Sequence, residues 1–215
     1  MAEDKKSVCI KTKIPAKPFV ASLEDFLNEL SVNKVNLVQY LSGYFTGDYC
    51  RHLSELHIIA AIENSPITPF LKENTSYFKE AISNHKAANY ICFALLCGRY
   101  SFCYDIAVAL ASQFRLQDEV SKELLVSIIS KKYGYNENVK RASERFVFFM
   151  EDAGIITRPN KQTYILSEPL KPVAIVEQLW KECYYQNQPL ANREDESELP
   201  FEPFFRYLNL LPDLL

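Results

Sequence analysis

All eleven prolines of this chain lie outside residues 70 to 158. A proline inside a helix removes a backbone donor and costs about 3 kcal/mol. A proline-free stretch this long, punctuated only by Gly98, Gly134 and Gly154, therefore predicts consecutive helices with brief breaks between them. Residues 87 to 97, AANYICFALLC, are apolar on nearly every side, which predicts a central helix packed on several neighbours. Phe102, Ile106, Leu110 and Phe114 form a stripe on the helix that follows. Upstream, Ser22 and Asp25 have the spacing of a capping box, and Phe26, Leu27 and Leu30 share a face behind it. Val35, Val38, Leu41 and Phe45 repeat the spacing. A helix is expected over residues 49 to 63 with Leu53, Leu56, Ile59 and Ala60 inward, broken at Ser65-Pro66. Thr68-Pro69 then reads as a cap and first-turn proline opening a helix to about residue 83.

Residues 118 to 133 predict a helix that stops at Gly134, the residue type best able to turn the chain through positive φ. Asn136 is placed to cap a second helix over residues 137 to 152, and Ala153-Gly154 ends it. Two β-prone runs, Ile155 to Arg158 and Thr163 to Leu166, flank the turn residues Pro159-Asn160-Lys161-Gln162 and predict a hairpin. No strand-like alternation precedes Ile155. The expected class is therefore all-α with a small β-wing: a multi-helix N-terminal bundle, a helix-turn-helix with its wing, and a C-terminal helical extension. The corresponding division is a tail over residues 1 to 20, a helical domain over 21 to 98, the helix-turn-helix region over 99 to 168, and a C-terminal helix, acidic connector and aromatic tail over 169 to 215.

The run KKYGYNENVKRASERF with EDAGIITRPNKQTYIL resembles the winged helix-turn-helix family of nucleic-acid-binding domains. In that family the second helix of the pair enters the DNA major groove and the wing lies along the backbone. Tyr135 departs from the family pattern, which has a small apolar residue after the turn glycine. The whole layout, a helical front half followed by a wing, is also similar to small accessory proteins of bacterial phage-defence operons such as the BREX A family. The resemblance implies double-stranded DNA as the partner, bound by a transcriptional regulator or by the DNA-contacting subunit of a larger assembly.

Charge distribution agrees with that expectation more than total charge does. The chain is net -3, which disfavours wholesale coating of phosphates. Residues 121 to 165, however, hold eight basic against five acidic side chains, while residues 166 to 215 hold four against nine. At about 100° per residue, Val139, Ala142, Phe146, Phe149 and Met150 cluster on the core side of the second helix. Glu137, Arg141, Glu144 and Phe148 lie opposite, flanked by Lys140 and Arg145. Arg141 is suited to a guanine edge, and Asn138 to a base or a phosphate. Lys131, Lys132, Arg158 and Lys161 become expected phosphate contacts. With Asn136 at the helix start, these nine residues are the candidate DNA-binding set. The competing expectation is a scaffold using the same surface for protein contacts, since exposed charges are often only solvated ion pairs. Phe148, beside Val147, suggests that the latter half of this helix is covered by another part of the chain or by a partner.

Val173, Val176, Leu179, Trp180 and Cys183 have helical spacing, predicting a helix over residues 171 to 185 packed back on the wing region, with Trp180 in the core. Residues 186 to 200 are polar and acidic. Residues 201 to 215 are strongly apolar, and either return to cover the core or serve a homodimer or protein partner. Cys50, His52 and the series Cys92, Cys97 and Cys103 lack the close pairs of a zinc site, and the thiols read as small buried hydrophobes. No metal or cofactor is expected. The chain shows no phosphate-binding glycine loop and no nucleophile elbow, and its adjacent carboxylates point apart on helices, so an enzyme is not expected. With no apolar run of membrane-spanning length and no apolar stretch after Met1, the expected location is the cytoplasm.

Overall fold

The computed structural model describes residues 10 to 210 except Pro172. Among these residues are ten α-helices and one three-stranded antiparallel sheet, so the chain is mostly helical with a small β element. The helices are α1 (Ala16–Glu29), α2 (Lys34–Ser42), α3 (Asp48–Glu63), α4 (Thr68–Glu73), α5 (Thr75–Ala81), α6 (His85–Arg99) and α7 (Ser101–Phe114). Next come β1 (Glu119–Ser121), α8 (Lys122–Tyr133), α9 (Glu137–Asp152), β2 (Ile156–Asn160), β3 (Thr163–Leu166) and α10 (Ala174–Asn187). Two 3-10 turns, Leu199–Phe201 and Pro203–Tyr207, follow.

The all-apolar run behaves as its composition dictates. Every residue from 87 to 98 is buried, and α6 is packed by α10, α7, α3 and α1. Asn84 opens the helix by accepting from the amides of Lys86 and Ala87, two donors that helix geometry leaves unpaired. Trp180 stacks on Phe93 at 5.1 Å and on Phe204 at 4.7 Å. Its indole N–H donates to the Tyr90 carbonyl at 3.1 Å, which satisfies the one polar atom the ring brings inside. The expectation of a core tryptophan holds. Helix α10, however, packs chiefly on α6, α5 and α4, where packing on the wing was expected.

The aromatic C-terminal residues return to the core. Phe204, Phe205, Tyr207 and Leu208 are buried, the Tyr207 hydroxyl donates to the Ala107 carbonyl, and Leu170 pairs with Leu208. These side chains are spent within the chain, the first of the two alternatives for residues 201 to 215, and at those positions they offer no docking surface to a homodimer or protein partner. Residues 211 to 215 lie outside the described residues.

Several local expectations also change. Where a tail was expected over residues 1 to 20, α1 begins at Ala16, and Ile10, Ile14 and Phe19 are buried; residues 1 to 9 lie outside the described residues. Ser22 sits inside α1 and donates to the Pro18 carbonyl instead of capping. Helix α3 is rotated from the expected face: Ser54, His57, Ile58, Ala61 and Ile62 are buried, and Leu56 is exposed. The helix expected from Thr68 divides at Asn74, and the Thr68 hydroxyl donates to the Ile62 carbonyl. The helix expected from residue 118 starts at Lys122, because Glu119–Ser121 pairs with β3. A strand therefore precedes Ile155, contrary to expectation.

The sheet order is β1-β3-β2. Buried Val120 and Tyr164 face each other across the β1–β3 pair. Lys161 and Gln162 make the turn between β2 and β3, and the β2–β3 register is irregular between Thr157 and Asn160. That irregularity contains Pro159, which has no amide to give a regular ladder.

Candidate nucleic-acid interface

Local chemistry fixes the α8–α9 pair. Ser121 caps α8 by accepting from the Leu124 amide. Gly134 closes it at φ 94°, ψ 151°, a conformation essentially reserved for glycine. Asn136 then accepts from the Val139 amide at 3.0 Å, so its side-chain carbonyl is committed to capping α9 as anticipated. At the far end, the Gly154 amide donates to the Glu151 carbonyl and the Ile155 amide to that of Met150. Gly154 lies at φ 71°, which completes a Schellman termination.

The structure separates the other eight candidates into three groups. Lys131, Asn138, Lys140 and Lys161 are exposed and make no side-chain hydrogen bond or ion pair among the described residues. Arg141 is exposed and pairs with Glu137 at 3.1 Å, the two side chains being 61% and 58% accessible. A pair that open is worth a few tenths of a kcal/mol, about the value of helix i,i+4 pairs, so it holds Arg141 only loosely. The remaining cations serve the chain itself. Lys132 pairs with Asp105 at 2.6 Å, and Asp105 also accepts from the Tyr133 hydroxyl. Burial, and then the Asp105 carboxylate, hold that hydroxyl well above its ordinary range. Arg158 pairs with Glu151 at 3.4 Å and lies over the Tyr164 ring.

Arg145 departs most from expectation. It is half-buried, and its guanidinium donates to the Ile10 carbonyl at 3.1 Å. Residues 10 to 14 cross the latter half of α9 as a strap. Ile10, Thr12 and Ile14 point inward, and Lys11 and Lys13 point outward. The Lys13 ammonium sits 4.5 Å above the Phe148 ring, and Asp152 accepts from the Ala16 amide at 2.7 Å, capping α1 where helix geometry favours negative charge. The covering of Phe148 and Val147 was legible in their apolarity. The identity of the cover was not. Arg145 thus anchors the strap and does not stand on an open ridge with Lys140 and Arg141.

His57 secures the strap from the other side. Its Nε2 accepts from the Lys11 amide at 3.1 Å. Because that nitrogen accepts, Nδ1 carries the proton and donates to the Tyr100 hydroxyl, 3.0 Å away. Burial, reinforced by the charges of Lys11 and Arg145, lowers the His57 pKa to about 4. At neutral pH this histidine is an uncharged clamp.

The first turns of α9 stand between two concavities. One, of about 480 Å³, is lined by Lys122, Lys140, Tyr135 and Gln162 among others, between α8 and the hairpin tip. The other, of about 390 Å³, lies between α9, the strap and the start of α3, with Lys11, Lys13, Arg141 and Arg145 against the single carboxylate Glu144. Glu144 is itself paired with Lys122 at 2.7 Å. Sequence reasoning missed Lys11 and Lys13. The alternation of residues 10 to 14, IKTKI, was the available signal.

Among the described residues no three histidine, cysteine or carboxylate side chains converge as a metal site. Cys92, Cys97, Cys103 and Cys183 are buried and Cys50 is exposed. No single described helix is long and apolar enough to cross a membrane; α6 and α7 reach that length and apolarity only together and are bent by 119°. Comparison with protein-family models, with curated proteins and with solved structures gives no match.

Proposed function

We propose that this chain binds double-stranded DNA by inserting the first turns of α9 into the major groove, with the β2–β3 hairpin alongside on the backbone. The observation that carries the reading is the exposed start of α9. Asn138, Lys140 and Arg141 stand free of the core at the end of the helix that groove-reading elements present to base edges, while the latter half is covered. The order helix, strand, helix, helix and hairpin, with β1 added beside β3, supports a winged helix-turn-helix arrangement. Lys131 at the end of α8 and Lys161 at the hairpin tip supply phosphate contacts on either side of that helix.

Arg145 is excluded from the contact set by its anchoring role, and the test uses residues that hold nothing in the fold. Replacing Lys131, Lys140 and Lys161 together by glutamine removes up to three phosphate contacts. In a fluorescence-anisotropy titration the salt slope of duplex binding then falls by about 2.7, at about 0.9 per phosphate, with the melting temperature unchanged. Wild-type protein that shows no salt-dependent retention of duplex DNA at low ionic strength overturns the reading and leaves the surface to protein contacts.

A further inference from the structure

The cleft between the strap and α9 is lined by four cations and one carboxylate, and its place beside α9 bears on what it can bind. Lys140 lines the concavity on the hairpin side and Arg141 the one on the strap side, so the start of α9 is a ridge between two hollows. A ridge that enters the major groove, about 12 Å wide, meets a sugar-phosphate backbone on each flank. The hairpin-side hollow holds Lys122 and Lys140 against Glu123. The strap-side cleft carries more positive charge: four cations face Glu144, whose carboxylate is already engaged by Lys122.

We propose that the strap cleft is a second phosphodiester-binding site, taking the DNA backbone on the flank of α9 opposite the hairpin, with Lys11 and Lys13 as its contacting residues. The inference rests on the duplex-binding reading above. Lys11 is exposed and makes no ion pair among the described residues. The Lys13 ammonium lies over the Phe148 face and makes no ion pair among the described residues, so its donors stay open to solvent or to an anion. The backbone of the strap is fixed at Ile10 by Arg145 and at Lys11 by His57, so both side chains project from a positioned element, and no backbone ordering is added to the cost of binding. Phe45 forms part of the wall.

The test is the salt dependence of binding to a short duplex for the variant Lys11→Gln/Lys13→Gln. Two lost phosphate contacts lower the slope by about 1.8, so the affinity lost between about 50 and 200 mM salt becomes about twelvefold smaller than for wild type. Lys11→Arg/Lys13→Arg restores the slope, because only charge is required. An unchanged slope in the glutamine variant, alongside a reduced slope in the Lys131, Lys140 and Lys161 variant, overturns the second site and leaves groove insertion standing. An equal loss of slope on a single-stranded oligonucleotide of the same length also overturns it, since one strand alone would then fill the cleft. Absence of duplex binding by wild-type protein removes both this site and the reading beneath it.

Discussion

Removing the titratable group at residue 57, by His57→Gln, changes how stability depends on pH in a direction fixed by the structure. The His57 pKa is lowered from its ordinary 6.5 to about 4, first by burial and then by Lys11 and Arg145. In the unfolded chain the imidazole takes up its proton as pH falls through 6.5. In the folded protein it resists until about 4. The unfolded state therefore binds more protons across this window, and stability falls with falling pH. Above pH 6.5 the histidine contributes no pH dependence. By roughly pH 5 about 2 kcal/mol is lost, and the full interval corresponds to about 3 kcal/mol, an upper figure for a group this buried. Glutamine does not titrate. The check is urea denaturation of both proteins from about pH 7.5 to 4.5, taking the difference in unfolding free energy so that the carboxylates common to both cancel. The difference is flat above pH 6.5, then moves against wild type as the solution is acidified. Parallel curves through that range would refute a neutral, buried His57 holding the strap.

Two further perturbations test the parts of the fold that position α9. Trp180→Ala removes the ring stacked between Phe93 and Phe204 and costs about 3 to 5 kcal/mol; in the parent protein this tryptophan emits at a short wavelength characteristic of a dry site, and a water-like emission maximum would contradict its complete burial. Gly134→Ala places a Cβ on backbone at φ 94°, costing about 1 to 3 kcal/mol and lowering the urea midpoint at constant m-value, so an unchanged midpoint would mean that the α8–α9 turn is built differently.

Local chemistry was the legible part of this protein. Gly134, Asn136 and Gly154 each act on backbone groups within five residues, and the bounds of α9 follow from them. The buried run of α6 declared itself by having no polar face. The three-residue β1 did not, because so short a segment shows no alternation and exists only through Thr163 to Ile165, more than forty residues away. The face of α3 was misread for a related reason. Apolar residues occur on both sides of that helix, and the buried side carries Ile58, Ala61 and Ile62 together with His57, which meets Tyr100 and Lys11. At the interface, the positions of Lys140 and Arg141 followed from angular spacing, but the fate of Arg145 depended on Ile10, 135 residues upstream. A helical wheel finds which residues leave the core. It cannot find which of them another segment will claim.

The Ala16 amide finds its acceptor in Asp152, 136 positions later. At a translation rate of about 5 to 20 residues per second, roughly 7 to 27 seconds separate the synthesis of this amide from that of the carboxylate that fastens it. Through that interval Phe19 also lacks Phe149, the ring it packs against in the folded chain, so the strap and α1 are translated well before the surface that covers them.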